Sequence, residues 1–310
     1  MSIYITIDGG TSTTRINLIK DRQLISTIKL DVGSKDNIAN KNLLKTEIRK
    51  AIDTILVSHN LKDNQIDRIL ASGMITSEFG LCKLDHISVP ADIKELHNNM
   101  HETYINEISP IPFVFIRGVK KITDSFEDTD IMRGEETELM GLMDISYREC
   151  VYVLSGSHSK LIKINSDGFI TDFSSMLTGE MIAAISNSTI LCDSIDLNSE
   201  LNKEFLIKGY DYAEKSGINQ ALFKVRILNN IFGCSKSQVY SFFMGVILHD
   251  EVKQLINYET STIVISGKAQ IKNALSVLLK NYSGKQIVII DDNKVDISTS
   301  IGMIKIYEHK

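Results

Sequence analysis

Short runs of β-branched and aromatic residues, each ended by turn residues, predict strands at the start of the chain. They cover residues 2–8, 15–20 and 23–30, and only Asp21-Arg22 separates the last two, which suits a tight hairpin. Apolar residues spaced about 3.6 positions apart then predict a helix over 42–59. A further strand is predicted over 68–72. The expected order is three antiparallel strands, a helix and another strand.

The same order returns in the second half of the chain. A strand over 152–156 precedes two strands joined at Asp167-Gly168, a strong hairpin turn. Helices are predicted over 178–186, 203–215, 219–231, 236–254 and 269–279, strands over 262–266 and 286–290, and a last helix to the C-terminus. Because one hydrophobic core stops growing near about 250–300 residues, we expect two α/β domains.

Similar loops follow the first strand of each half. The first loop (residues 10–15) reads GTSTTR and the second loop (residues 156–160) reads GSHSK. Both place glycine, then hydroxyl residues, then a cation in the turn between two antiparallel strands. Ordinary polar hairpins use the same residue types. The repetition favours a duplicated phosphate clamp, in which glycine lets backbone N–H groups approach an anion and hydroxyls complete the cradle.

Carboxylates and one arginine supply candidate chemistry beside these loops. Asp8 precedes the first loop, where it is either a turn-former or a ligand of a divalent cation that also binds phosphate. In the segment DIMRGEETELMG (130–141), the glutamates suit a helix N-terminus through the helix dipole. One of them could instead accept a proton from a substrate hydroxyl, and Arg133 could hold an anionic substrate bidentately.

Composition narrows the class of protein. The chain has 310 residues, a net charge of -5 and 43% apolar residues, which is typical of a soluble globular protein without a basic footprint for nucleic acid. No apolar run is long enough to cross a bilayer, and four isolated cysteines with no signal peptide indicate a cytoplasmic protein. P-loop, Rossmann and GxSxG motifs are absent from the sequence. We therefore expect no nucleic-acid or membrane partner.

Six motifs together resemble one family. DGGTSTTR, GMITSEFG, IMRGEETELMG, SGSHSK, MLTGE and LFKVR occur in the order and spacing of the 2-dehydro-3-deoxygalactonokinases, within the acetate kinase/sugar kinase/Hsp70/actin superfamily. The resemblance implies two duplicated ribonuclease-H-like (actin-like ATPase) domains flanking an ATP cleft. It also implies phosphorylation of 2-dehydro-3-deoxy-D-galactonate to its 6-phosphate, with ATP and Mg²⁺ as cofactors. It implies domain bounds of 1–145 and 146–310, a second domain that carries most of the ATP site, and a last helix that packs back on the first domain.

The resemblance also implies roles for individual residues. Glu136 would be the catalytic base, with Glu135 as the second candidate, and Asp8 would bind the metal ion. The nucleotide would contact Asp8, Gly10, Thr11, Thr13, Gly156, Ser157, His158, Ser159, Lys160 and Gly267. The sugar acid would contact Gly73, Met74, Ser77, Arg133, Thr178, Gly179 and Glu180.

Other readings stay open. Family members commonly carry Trp after the first aspartate, and Pro and Trp around the second loop, where this chain has Gly9, Ser155 and Leu161. These tryptophans shape pocket walls, so the acceptor could be another 2-keto-3-deoxy sugar acid or a related sugar. A regulator that binds ATP or sugar without turnover is the alternative from a different class. A homodimer is compatible with the sequence.

Overall fold

The computed structural model describes residues 2–40, 42–144 and 146–309. The chain forms two compact units: unit 1 comprises Met1–Ile145, Asp167–Asp172 and Asn293–Lys310, and unit 2 comprises Ser146–Ser166 and Phe173–Asp292. Ile145, where the sequence places the end of the first domain, lies outside the described residues. Apart from its first residue, the last helix belongs to unit 1.

The strands and helices are numbered in chain order. The strands are β1 (Ile3–Gly9), β2 (Thr14–Lys20), β3 (Gln23–Leu30), β4 (Arg68–Gly73), β5 (Ile87–Ser88), β6 (His101–Ile105), β7 (Ser109–Phe115), β8 (Val119–Lys121), β9 (Asp130–Met132), β10 (Cys150–Ser155), β11 (Ser159–Ile164), β12 (Ile170–Met176), β13 (Thr262–Gly267) and β14 (Gln286–Ile289). The helices are α1 (Asp36–Ala39), α2 (Leu43–Ser58), α3 (Ile93–Asn98), α4 (Glu135–Leu142), α5 (Thr178–Ser188), α6 (Lys203–Ser216), α7 (Ile218–Asn230), α8 (Lys236–Ile247), α9 (His249–Asn257), α10 (Ala269–Tyr282) and α11 (Asp292–Tyr307).

The two main sheets repeat one topology. Their strand orders are β3-β2-β1-β4-β7-β6 and β12-β11-β10-β13-β14. In the first sheet β1 pairs antiparallel with β2 and parallel with β4, and in the second β10 pairs in the same way with β11 and β13. A further parallel strand follows in each sheet, β7 beside β4 and β14 beside β13. The α/β duplication expected from the sequence is confirmed, and this strand order is the ribonuclease-H-like one.

Opposite faces of β1 pack against different layers, because successive side chains of a strand alternate between faces. Ile5 and Ile7 join the core that contains the apolar side of α2. On the other face, Thr6 Oγ1 lies 2.7 Å from Ser300 Oγ of α11. Helix α11 also contacts α4 closely, since a Cβ on Gly302 would lie 1.9 Å from the Thr137 carbonyl oxygen. The last helix thereby supports the helix that carries the candidate glutamates.

Unit 2 has a separate core between its sheet and a layer of helices, with buried members from β10, β11, β13, α6, α8, α9 and α10. Helices α6 and α8 meet at small residues, because a Cβ on Gly245 would lie 2.0 Å from the Leu206 carbonyl oxygen. The prediction of a single helix over 236–254 is wrong, because the chain forms two helices there, α8 and α9, which are separated at Leu248. Buried residues dominate α8, whereas α9 alternates buried and exposed positions, so the two segments pack differently.

Residues 81–132 contain elements that the sequence pattern does not reveal. Strands β5, β8 and β9 form a three-stranded sheet and are only two or three residues long. Strand β7 contains Pro110 and Pro112, which normally argue against a strand. It pairs with β4 only through Phe113–Phe115, beyond both prolines. None of the helices within the described residues is long and apolar enough to span a membrane.

Candidate active site

The first loop is a tight turn between β1 and β2. Gly10 N–H donates to the Thr13 carbonyl at 2.8 Å, and Thr11 and Thr13 are exposed. The segment after β3 supports this turn, since Ser34 N–H donates to the Gly10 carbonyl at 3.1 Å. A Cβ on Gly33 would lie 2.4 Å from the Thr11 carbonyl oxygen, so no other residue fits there without movement. The hydroxyls of the loop are therefore presented on a fixed backbone.

The second loop is shorter than the sequence suggests. Gly156, Ser157 and His158 form the turn, whereas Ser159 and Lys160 belong to β11 and are buried. The Lys160 ammonium donates to Ser175 Oγ on β12. Only the first three of the five predicted phosphate-loop residues thus lie in the turn, and of these the Ser157 and His158 side chains are exposed.

Equivalent glycines stand beside the two loops. Gly73 ends β4 with φ +85°, and a Cβ there would lie 2.5 Å from the Gly9 carbonyl oxygen. Gly267 ends β13 with φ +103°, and a Cβ there would lie 2.3 Å from the Ser155 carbonyl oxygen. Each glycine therefore occupies the same place against the central strand of its sheet. The family resemblance implies a sugar-acid contact for Gly73 and a nucleotide contact for Gly267, and the equivalence of the two glycines is not apparent from the sequence.

Gly9 leaves no space for the tryptophan common in the family. A Cβ on this residue would lie 2.6 Å from the Ile75 Cβ and 3.0 Å from the Ile75 backbone nitrogen. The turn after β4 fills the position instead. Leu161 stands where the resembled family has its other tryptophan, after the second loop, and it is fully buried in the core of unit 2.

Asp8 lies at the end of β1, close to several charged groups. Burial raises the pKa of its carboxyl, the Arg15 guanidinium lowers it, and the Glu135 carboxylate raises it. Ser72, its register neighbour on β4, is buried, and Ser72 Oγ has no hydrogen-bond partner among the described residues. A Cβ on Gly134, just before α4, would lie 3.1 Å from the Gly73 Cα. These close approaches bring the N-terminus of α4 to the end of β1.

Glu136 is fully buried, with 0% of its surface exposed, and caps its own helix. Gly134 N–H donates to both carboxyl oxygens, at 3.0 Å and 2.8 Å, and the Thr137 hydroxyl donates to Oε1 at 3.0 Å. Burial, followed by the charge of Glu135, raises the pKa of Glu136 to about 8 against these hydrogen bonds. Glu135 is only partly buried, and its Oε2 accepts a hydrogen bond from Arg133 N–H at 2.9 Å.

Glu138 is an acidic residue of the site that the sequence-based assignment leaves out. Burial, followed by the charges of Asp8 and Glu135, raises the pKa of its carboxyl to about 8 against the Arg15 guanidinium. Its spacing of three residues from Glu135 on α4 places both on one helix face, which is the signal that could have identified it. Asp8, Glu135 and Glu138 therefore interact electrostatically within unit 1.

The Arg133 guanidinium makes its hydrogen bonds to backbone and side-chain groups of unit 1. Its Nη1 donates to the Thr76 carbonyl at 2.8 Å and to Thr76 Oγ1 at 2.5 Å, and its Nη2 donates to the Leu84 carbonyl at 3.1 Å. Nη2 also lies 3.2 Å from Nδ1 of His86, whose pKa burial lowers to about 4. The guanidinium thus holds the segment that follows β4. In that segment Ser77 Oγ donates to the Met74 carbonyl at 2.6 Å.

Gly179 and Glu180 contact the second loop within unit 2. A Cβ on Gly179 would lie 2.2 Å from the Gly156 carbonyl oxygen, and Glu180 N–H donates to the Ser157 carbonyl at 2.9 Å. His158 Nε2 lies 3.0 Å from Glu180 Oε1. Thr178 instead contacts Glu251 of α9, a buried acid absent from the sequence-based site. Over the described part of the chain, no three His, Cys, Asp or Glu side chains group to hold a metal ion.

Comparison with known proteins identifies relatives over most of the chain. The family model described as 2-keto-3-deoxy-galactonokinase matches residues 8–299. A curated protein of Rhizobium meliloti (strain 1021), assigned as 2-dehydro-3-deoxygalactonokinase DgoK1, is 25% identical over 200 residues. That match spans 62% of this chain and 59% of the relative, so it covers only about three-fifths of the relative's length.

Two solved structures share the fold. A Sinorhizobium meliloti protein assigned as a 2-dehydro-3-deoxygalactonokinase superposes with a TM-score of 0.77 at 18% identity, covering 98% of this chain and 97% of that one. The activator of 2-hydroxyisocaproyl-CoA dehydratase from Clostridium difficile, solved with bound ADPNP, superposes with a TM-score of 0.50 at 10% identity, covering 99% and 95%.

Proposed function

Since the chain belongs to the 2-keto-3-deoxy-galactonokinase family, we propose that it transfers the γ-phosphate of ATP to the 6-hydroxyl of 2-dehydro-3-deoxy-D-galactonate. The observation that carries the proposal is the duplication of the loops, each with a positive-φ glycine against its central strand. Such backbones approach an anion closely, which suits each loop to bind phosphate.

Each loop would be a phosphate-binding turn of its own unit. In unit 1 the exposed Thr11 and Thr13 supply hydroxyls, and in unit 2 Ser157 and His158 supply a hydroxyl and an imidazole. The buried Lys160 would act from behind the turn, through the charge of its ammonium. Gly179 and Glu180 contact the second loop, and Thr178 precedes them on the same helix, which supports a part for these three residues in nucleotide binding rather than contact with the sugar acid.

A divalent cation in unit 1 would be held by few protein oxygens, with phosphate and water completing its shell, since no three His, Cys, Asp or Glu side chains of the described residues group to hold a metal ion. The charge of Glu135 raises the pKa values of Asp8 and Glu138, and the Ser72 hydroxyl beside Asp8 has no protein partner among the described residues. Oxygen ligands of this kind suit Mg²⁺. Asp8 would hold it, and the ion would neutralise charge on the phosphates. The residues of this chain then need only orient the acceptor and take its proton.

The geometry supports Glu135 over Glu136 as the base. Both carboxyl oxygens of Glu136 accept hydrogen bonds from its own helix start, and its pKa of about 8 leaves it largely protonated at neutral pH. Glu135 is partly exposed beside Asp8. We assign proton acceptance from the sugar hydroxyl to Glu135 and helix capping to Glu136, the reverse of the order implied by the family resemblance.

The acceptor would lie near the turn after β4, where Gly73, Met74 and Ser77 meet the N-terminus of α4. Arg133 would shape this turn through its bonds to Thr76 and Leu84. Because Gly9 leaves no space for a family tryptophan, a related 2-keto-3-deoxy acid is the second candidate acceptor. A cytoplasmic location, and a homodimer as one possible assembly, remain parts of the proposal that cell fractionation and light scattering would test.

An ADP-release assay with Mg-ATP tests the proposal. We expect turnover with 2-dehydro-3-deoxy-D-galactonate, and a loss of about 10²–10⁴ in kcat for Glu135→Gln with ADP affinity retained. Exposed Glu204→Gln is the control and should match wild type. Turnover only with another keto-deoxy acid would reassign the acceptor. Binding of ADP without turnover of any acid would support the regulator instead, and an active Glu135→Gln beside an inactive Glu136→Gln would reverse our assignment.

A further inference from the structure

Glu251 is a buried carboxyl at the side of the second loop that faces away from solvent. It lies on α9 with 1% of its surface exposed, and its Oε2 accepts a hydrogen bond from Thr178 Oγ1 at 2.5 Å. Its Oε1 has no hydrogen-bond partner among the described residues. Burying a carboxyl is unfavourable unless it is paired, so its retention in this core requires a reason.

One connection from Glu251 to the second loop runs through the start of α5. Thr178 is followed by Gly179, which packs against the Gly156 carbonyl, and by Glu180, whose N–H donates to the Ser157 carbonyl at 2.9 Å. Three consecutive residues thus join the carboxyl to the backbone of the turn. A movement of Thr178 would be transmitted to Gly156, because the space between Gly179 and Gly156 is already closed.

A second connection runs through Ser159, at the other end of the turn. This residue is 0% exposed, and its Oγ makes no hydrogen bond of normal geometry with the described residues. Burial raises the pKa of Glu251, whereas the hydroxyls of Thr178 and then Ser159 lower it, so both lie near the carboxyl. Glu251 is therefore connected to the start of the turn through Thr178 and Gly179, and the unpartnered Ser159 hydroxyl lies near it just after the turn.

We propose that Glu251 is a positioning residue, which sets the second loop for a nucleoside di- or triphosphate by accepting a hydrogen bond from Thr178 while its second oxygen is available to the nearby Ser159 hydroxyl. The inference rests on the proposed function, because it takes the second loop to be a phosphate loop. The carboxylate has one acceptor oxygen for each of these two hydroxyls. Glutamine offers only one oxygen and turns an NH₂ group towards the other hydroxyl.

The test measures MgADP affinity by calorimetry on full-length variants, so it does not depend on turnover. We expect Glu251→Gln to weaken MgADP binding about 10-fold and to leave the KM for the sugar acid within about 2-fold of wild type. Thr178→Val should weaken MgADP binding similarly, and Thr178→Ser, which keeps the hydroxyl, should restore it. The double variant Glu251→Gln/Thr178→Val should be no weaker than either single variant, as expected when both changes break one connection.

Thermal unfolding of each variant distinguishes positioning from general destabilisation. Unchanged MgADP affinity in folded Glu251→Gln would overturn the inference, and so would an equal rise in the KM for both substrates. If Glu251→Gln does not fold, the comparison of Thr178→Val with Thr178→Ser decides the same question. If the wild-type protein binds MgADP but phosphorylates no sugar acid, the proposed function is refuted. The ratio of the MgADP affinities of wild type and Glu251→Gln then still decides whether Glu251 positions the loop. Absence of MgADP binding by wild type would overturn both.

Discussion

Gly134 lies directly on Gly73: a Cβ on Gly134 would be 3.1 Å from the Gly73 Cα, and both residues have positive φ, +112° and +85°. The contact joins the start of α4 to the end of β4, and a Cβ on Gly73 would lie 3.5 Å from Asp8 Oδ1. Two glycines without side chains thus let the helix that carries Glu135 approach the strand that carries Asp8.

Gly134→Ala should therefore impair both folding and catalysis. The new methyl group is strained at this φ and crowds Gly73, so we expect a loss of about 1–3 kcal/mol in unfolding free energy. We also expect kcat to fall at least about 10-fold, because α4 must shift from Asp8. Chemical denaturation and steady-state kinetics measure the two effects.

Gly217→Ala is the matched control for this substitution. Gly217 has φ +78°, but a Cβ there would have no atom within 4 Å. Gly217→Ala should lower the unfolding free energy through its strained backbone and leave kcat and KM unchanged. If both variants lose the same activity, backbone strain alone explains the loss and the contact of Gly134 with Gly73 has no catalytic significance.

Gly179→Ala should raise the KM for ATP by about 10-fold or more. Alanine is the better helix former, so α5 itself would not suffer. The methyl group would, however, lie 2.2 Å from the Gly156 carbonyl oxygen and displace the second loop. Gly284→Ala, where a Cβ meets nothing within 4 Å, is the control. An unchanged KM for ATP would show that the turn tolerates displacement.

Glu136→Gln should flatten the pH dependence of stability. Because the folded-state pKa of Glu136 is raised to about 8 from 4.5, its stabilising contribution is present at low pH and is lost as pH rises through about 8. Wild type should lose on the order of 2–4 kcal/mol between pH 5 and pH 8 from this group, and the variant should not. Urea denaturation across this pH range measures the slope. Equal slopes for the two proteins would contradict the raised pKa.

Arg133→Lys separates a structural role from substrate binding. Lysine cannot reproduce the fork that reaches both Thr76 and Leu84, so we expect a loss of about 1.5–3 kcal/mol in unfolding free energy. Arg117→Lys is the comparison, since Arg117 also donates to two backbone carbonyls, those of Asn99 and Asp85. A large rise in the KM for the sugar acid at unchanged stability would show that Arg133 binds the acceptor directly.

The sequence predicts the duplicated sheets well because they are built from local patterns. Strand runs and polar turns recur in the same order, and β1, β2, β10 and β11 form within a few residues of the expected bounds. It fails where long-range contacts decide. Ser159 and Lys160 look like loop residues, but pairing with β10 makes them part of β11 and buries them.

The roles of the acidic residues depend on burial, which the sequence does not show. Glu135, Glu136 and Glu138 are the same residue type within one helical turn. Only the packing of α4 distinguishes Glu136, which caps its own helix, from the other two, which interact with Asp8. Glu251 gives no sequence signal at all, since its partner Thr178 is 73 residues away. Pairings over such distances are set by tertiary structure and have no local pattern.

The contact between Thr6 and Ser300 determines when unit 1 can be finished. Their hydroxyls meet across 294 residues, and the whole of unit 2 lies between them in the chain. The first sheet is therefore incomplete until α11 is available to cover one face of β1, whereas unit 2 can complete its own core without α11. We expect released chains truncated after residue 292 to hold a folded second unit and a protease-sensitive first one.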